Sequence, residues 1–490
     1  PVTLQVGGAA LADGAGWRML APPVAGITVD SLAAQNLVQG VPGYYPGFTP
    51  PTLLSYSGTG WVPSAGAGAP VASGRGVLWY FFDQTFDPGG PSQSYALPRP
   101  VHAPMGASEP TGDVTVPLHA LGSGLNLVGN PYLTSLDVAA LSAWASGGTL
   151  ASAVAQVWDP TVASYRLSTT TGDAVASWQG FLVENRTDGT AATTLTVPAS
   201  ARTTGAPFHG RPEADATDAV DEEAARGDDV RLVTFELSGE ADGAPIADAA
   251  LALTLRAGAD NAWDAWDATK LAPLAPAYAV LAFAGTHDGS PVLKAQESRP
   301  YVPLDPFELD VRFGAVGTDT TFTLRWPRVE NLTGWALRLT DVVTGDVVDL
   351  HTETSYTFSA QPSAPASGGI GPGDPARPLT VAQRFVLLVD PPPITAAAPA
   401  PAALATALAP PAPNPVAGVS TLRFEIAEPG RVVLEVYDLL GRRVAVLLDG
   451  HVEAGRHTAR LDATALDAGL YVVRMRAGIF AQAQRLTVAR

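Results

Sequence analysis

Turn residues cut this chain into short pieces. It holds 49 Gly and 44 Pro in 490 residues, which leaves little room for long helices and favours strands joined by tight turns. Between the turns, apolar and polar positions alternate with a period of two, the pattern of a half-buried strand. An all-β fold follows. A length of 490 residues exceeds what one core serves; at roughly 150 residues per domain it predicts three or four.

The segments can be taken in order. Residues 1–115 read as a first β-rich unit. It has Gly16-Trp17-Arg18-Met19-Leu20, a short helix at 29–38 capped by Asp30 or Ser31, and a Pro/Gly/Tyr loop at 41–51. A hairpin follows around Ser57-Gly58-Thr59-Gly60, then a buried strand at 76–82. Residues 116–204 repeat this grammar. Gly124-Leu125-Asn126-Leu127-Val128 stands for the opening strand, 136–144 for the helix, 155–167 for the hairpin and Trp178-Gln179-Gly180-Phe181 for the last strand. Two diverged copies of one unit are expected.

Residues 205–229 form an acidic linker without aromatics after residue 210. It contains Arg226-Gly227-Asp228, which is read as a chance tripeptide in a charged stretch. Residues 230–390 carry strand candidates at the spacing of a β-sandwich. Residues 391–413 are a Pro/Ala-rich tether.

The last stretch, 414–490, alternates cleanly. Leu422, Phe424 and Ile426 oppose Arg423 and Glu425, and further strands follow Pro429-Gly430, Gly441, Gly455, Gly469 and Gly478. Six or seven short strands describe a small Ig-like sandwich. The order Pro413-Asn414-Pro415, then Val436-Tyr437-Asp438-Leu439-Leu440-Gly441-Arg442-Arg443-Val444, Ala454-Gly455-Arg456-His457 and Ala468-Gly469-Leu470-Tyr471 resembles the type A C-terminal sorting domain of the type IX secretion system. The resemblance implies export to the surface of a diderm bacterium through an outer-membrane machine. It marks Asn414, Pro415, Gly441, Gly469, Tyr471 and Arg490 as sorting residues. It also implies a signal peptide on the gene product, so Pro1 is expected to be a mature N-terminus or the start of a fragment. In many members the domain is removed after export and the protein is tethered to lipid. The two units at 1–204 resemble a module found upstream of such domains, marked here by Gly124-Leu125-Asn126-Leu127-Val128-Gly129-Asn130-Pro131 and the Trp178 strand.

Composition narrows the chemistry. Cys is absent, which removes disulfides, thiolate catalysis and Cys-ligated zinc. The excess of 47 acidic over 29 basic residues, a net −18, argues against nucleic acid, whose phosphates need a basic patch. Lys270 and Lys294 are the only lysines. No run of about 18 apolar residues marks a membrane span.

The seven His are scattered, so no cofactor is implied, with one candidate exception. Asp260, Asp264 and Asp267 are spaced as calcium ligands, or else edge a solvated loop whose Trp263 and Trp266 enter the core. No Gly-x-Ser-x-Gly elbow occurs. A carboxylate pair of a glycosidase meets only in three dimensions, so that class stays open. The repeats Gly74-x-Gly76 and Gly122-x-Gly124 lack the Lys-Ser/Thr of a phosphate loop and read as turns. Trp17, Trp61, Trp79, Trp158 and Trp178 are candidate sugar platforms or core residues, and Tyr44 and Tyr45 on the 42–45 loop are the exposed candidates. The reading is a non-enzymatic structural or adhesive surface protein, self-associating through edge strands. The alternative is a set of carbohydrate-binding modules that accompany a secreted hydrolase. A hydrolase in its own right is the third reading.

Overall fold

The computed structural model describes residues 3–6, 16–47, 49–82, 99–168, 174–206, 230–241, 244–300, 305–317, 320–364, 371–392, 406–478 and 480–489. The chain is nearly all β, as its turn spacing predicts. It divides into two compact units, residues 1–392 and 393–490. Most of the 205–229 linker and of the 391–413 tether lies outside the described residues.

The first lobe of the first unit is built on a four-stranded antiparallel sheet, in the order Gly16–Leu20, Val77–Phe81, Leu53–Tyr56, Trp61–Pro63. A second sheet has the order Leu125–Gly129, Gly180–Asn185, Leu150–Asp159, Ser164–Leu167. Matched by their sequence grammar, the strands of the two sheets come in the same order. Their helices differ. The first, Val29–Ala33, is shorter than expected and starts at Thr28, which exchanges side-chain bonds with Ser31 in a capping box. In the second lobe that stretch becomes the strand Ser135–Asp137 and one 3-10 turn, Leu141–Trp144, whose leading Ala140 has no side chain to cap it.

The two sheets meet reciprocally. Ala21 donates its N–H to the Trp178 carbonyl at 2.8 Å, and Gly129 donates to the Gly74 carbonyl at 3.0 Å. Leu20 bridges Gln179, and Val128 bridges Arg75. Each lobe thus lends its opening strand to the start of the other lobe's inner strand, the pattern of a two-fold contact within one chain. Ala21 and Gly129 occupy equivalent places and face each other; a Cβ on Gly129 would lie 2.1 Å from that of Ala21. Only a residue without a side chain fits there.

Residues 231–390 form a single sheet in place of the two layers of a sandwich. Its order is Val347–Asp349, Ala336–Asp341, Ala382–Asp390, Phe307–Val316, Tyr278–His287, Ser290–Pro300, Ala244–Arg256, Arg231–Ala241, Thr321–Glu330, Ser355–Ser359. Neighbours are antiparallel except Ala244–Arg256 with Ser290–Pro300. The sheet rolls around Phe235, Phe283, Phe322 and Phe385, and its two end strands approach. The Tyr356 hydroxyl donates to Asp341 at 3.0 Å and to Asp346 at 2.9 Å, and Trp326 Nε1 donates to the Leu350 carbonyl at 3.0 Å. Rolling shields most of the sheet's length and leaves only short edge strands.

An apolar layer joins the parts. Trp17, Leu54, Leu127, Trp158 and Leu182 of the lobes pack with Ala250 of the rolled sheet and with Leu271 and Leu274 of the segment between two of its strands. The sequence boundaries at 115/116 and 204/205 therefore fall inside one compact unit.

The second unit has two sheets: Ala407–Leu408, Val419–Ile426, Gly455–Asp462 and, facing it, Arg443–Val452, Gly430–Asp438, Gly469–Ala477, Phe480–Val488. Alternating Leu422, Phe424, Ile426, Val432, Leu434, Val436, Val473 and Met475 fill the space between them.

Candidate functional site

The residues of the sorting signature sit at the borders of the second unit. Asn414 seals the outer edge of the last strand. Its Nδ2 donates to the Arg485 carbonyl at 2.9 Å and its Oδ1 accepts from the Thr487 amide at 2.8 Å. The side-chain amide thereby stands in for a backbone peptide of a neighbouring strand. Pro413 and Pro415, both after cis peptide bonds, flank it, and Val416 continues the pairing through Thr487 and Ala489. Tyr471 is buried, and its hydroxyl donates to the Asp467 carbonyl at 2.8 Å. Gly469 pairs with Val488, and a side chain there would meet nothing within 4 Å. Packing does not require this glycine. Arg490 lies outside the described residues.

Gly441 has a φ of 75°, the left-handed conformation that favours glycine. It closes a hairpin tip held by Asp438, whose carboxylate accepts from the Leu440 and Arg442 amides at 2.9 Å each and pairs with Arg442 Nε at 2.7 Å. These bonds hold the Asp438 carboxyl below its ordinary pKa. Leu439 and Leu440, at 69% and 80% exposure, are fixed in water at the tip. The open edge beside them, Arg443–Val452, carries two irregularities in register, after Leu434 and after Val436 on its partner. Bulges of this kind hinder pairing with another strand.

The outer face of the four-stranded sheet is basic. Arg443, Tyr437, Val472 and Arg485 fall in one cross-strand row, and Val446, Glu435, Arg474 and Ala483 in the next. Glu435 is 2% exposed; Arg443 reaches it at 2.7 Å, the Tyr437 hydroxyl at 2.8 Å and Arg476 at 3.3 Å. The Arg443 and Tyr437 hydrogen bonds keep the Glu435 carboxyl below its usual range, so it stays anionic.

The three candidate calcium ligands do share one loop of the first unit. Asp260 accepts from the Asn261 and Ala262 amides, and Asp264 from the Asp260 and Trp266 amides. Asp267 is fully buried and accepts from Lys294 at 3.1 Å, from the Ser298 amide at 2.9 Å and from the Asp264 amide at 3.0 Å. Burial, and then the neighbouring Glu297, push its carboxyl up to about 6 against the pull of Lys294. Among the described residues no group of three His, Asp or Glu is gathered as metal ligands. Trp263 and Trp266 are half-buried; Arg256 stacks 3.5 Å from the Trp266 ring and Lys294 lies 5.4 Å from that of Trp263.

Of the sugar candidates, Trp17, Trp79, Trp158 and Trp178 are buried in the cores, and Trp61 is half-buried with its Nε1 on the Gly373 carbonyl. Tyr44 donates its hydroxyl to Asp30. Tyr45 is 67% exposed, with a φ of 45°.

Sequence reasoning missed the part both lysines play. Lys270 bonds both Asp248 oxygens, at 2.6 and 2.7 Å, deep between the second lobe and the rolled sheet. Asp248 also accepts from the Leu281 amide at 2.7 Å. Lys294 pairs with Glu297 at 2.7 Å as well as with Asp267. Their scarcity among so many Arg was the available signal. Glu184 was missed too; Thr269 donates to one of its oxygens, and burial pushes its carboxyl up to about 7.

Residues 412–489 match the family described as the secretion system C-terminal sorting domain. No curated protein matches the chain. Among solved structures, dimeric latent PorU from Porphyromonas gingivalis aligns at 14% identity over 55% of this chain and 31% of that one, with a TM-score of 0.15. The chain thus spans under a third of that protein, and so low a score supports no comparison of fold or activity. Residues 412–489 are a type IX secretion C-terminal sorting domain, and the chain that carries them is exported to the surface or surroundings of a Bacteroidetes-type diderm bacterium.

Proposed function

We propose that this chain works outside the cell as a non-catalytic structural or adhesive protein. The observation that carries the reading is the apolar layer through which both lobes and the rolled sheet share one core. Joined in this way, the first unit resists bending between its parts and transmits force as one body, which suits a spacer or adhesive stalk. Self-association with further copies belongs to the same reading. The test compares cells that display the whole chain with cells that display a chain lacking 16–392. Loss of cell-to-surface or cell-to-cell attachment, with surface hydrolytic activity unchanged, is the expected outcome. Unchanged attachment with a fall in polysaccharide hydrolysis overturns the reading.

A second reading, carbohydrate binding, is favoured by Tyr45, a large aromatic held out in water by a left-handed backbone. It expects retention of the chain on insoluble polysaccharide and release of the Tyr45→Ala variant. Equal retention of both counts against it.

A further inference from the structure

Residues 414–490 hold ten Arg against eight acidic residues, while the rest of the chain holds 19 basic against 39 acidic. The sorting domain is therefore the basic end of an acidic protein. Its basic residues are concentrated where register places them. Arg443, Arg474, Arg476 and Arg485 all stand on the outer face of the four-stranded sheet, opposite the core-facing Leu434, Val473 and Leu486. All four are exposed. Two acids share this face: Glu435 is covered and holds two of the guanidinium groups in place, and Asp449 is paired with Arg431. Arg474 and Arg485 have no acidic partner among the described residues.

We propose that this face is the surface by which the chain docks on an acidic patch of the export machinery, with carboxylates of that protein as the ligands of the four arginines. The proposal rests on the export role of the sorting domain. Charge supports it twice. The bulk of an acidic cargo is repelled by an acidic receptor while this face is drawn to it, so the face favours the domain that docks and its orientation. Two of the guanidinium groups, those of Arg443 and Arg476, are held by Glu435 before any partner arrives, and such planar forks match carboxylates in pairs. Tyr437 hydrogen-bonded among them makes the Arg-and-Tyr composition of protein interface centres. A lipid surface would need only diffuse charge, without this fixed geometry.

The experiment measures surface display of the full chain in producing cells. Reversal by Arg474→Glu, Arg476→Glu and Arg485→Glu is expected to lower display by about tenfold or more, the scale of lost interfacial charge pairs, with folded protein held in the periplasm. A control with Arg423→Glu and Arg460→Glu changes charge on the opposite sheet and should display as the parent does. Normal display of the triple variant overturns the proposal, and so does equal failure of the control, which would make net charge the cause. If the triple variant does not melt as the parent does, Arg474→Gln, Arg476→Gln and Arg485→Gln decide in its place. Binding of the full chain to equal-part phosphatidylglycerol–phosphatidylcholine vesicles, lost in the triple variant while display persists, assigns the face to lipid and also overturns it. Deletion of 470–489 separates the two levels. Normal display of that truncation would sink the export role itself rather than the face.

Discussion

At the residue scale, the buried acids set how stability responds to pH. Glu184 lies in the second lobe against Thr269, and its second oxygen has no hydrogen-bond partner. Burial raises its carboxyl from the ordinary 4.5 to about 7. The folded chain therefore keeps this proton after the unfolded chain has lost it. The stabilisation is full below pH 4.5 and is lost as pH rises to about 7. Asp267, raised to about 6, acts in the same direction. Glu184→Gln imitates the protonated acid. Thermal melts of the full chain should show a higher Tm for the variant at pH 8 and little change at pH 4, each read against the parent. An equal shift at both pH values would show that burial does not raise this carboxyl above its unfolded pKa. Other acids do the reverse. Asp188 and Asp462 each bond the amide and hydroxyl of a Thr two residues on, and these bonds lower their pKa. That Asp-x-Thr spacing is readable in the sequence as a turn staple.

At the scale of elements, glycines separate packing from address. A methyl group on Gly129 would strike Ala21 and, at 2.7 Å, the Gln179 carbonyl. Gly129→Ala should therefore cost about 1–3 kcal/mol, the usual scale of overpacking, measured by denaturant unfolding. Gly469→Ala meets open space and should leave the unfolding curve unchanged. A loss of display in the Gly469 variant alone would then belong to recognition. A drop in its stability would contradict the geometry. The lobes were legible because Gly74-Arg75-Gly76 and Trp178-Gln179-Gly180 repeat in kind, and the same pairing recurs in the structure. The rolled sheet was less so. Alternation in Val233, Phe235 and Leu237 says which side of a strand is buried, not which strand lies beside it. The basic face was illegible for the same reason. Arg443, Arg474 and Arg485 lie on three strands, and only register brings them into neighbouring rows.

At the scale of the molecule, the first unit closes on contacts that are far apart in sequence. Trp61 meets Gly373 across 312 residues and Tyr56 meets Asp374 across 318. Among the described residues, the apolar layer on the lobes is covered by the rolled sheet and the segment between its strands. Residues 1–206 expressed alone should melt broadly and at lower temperature than the same residues within the full chain, by calorimetry. A sharp transition at the parent temperature would show that the lobes stand alone. Ala382–Asp390 comes last in the first unit, yet it lies inside the sheet, between Phe307–Val316 and Ala336–Asp341. A ribosome makes this keystone strand last of the roll. Until it is made the sheet has a gap between two strands that are already complete, so the first unit can lock only when nearly all of it has been synthesised.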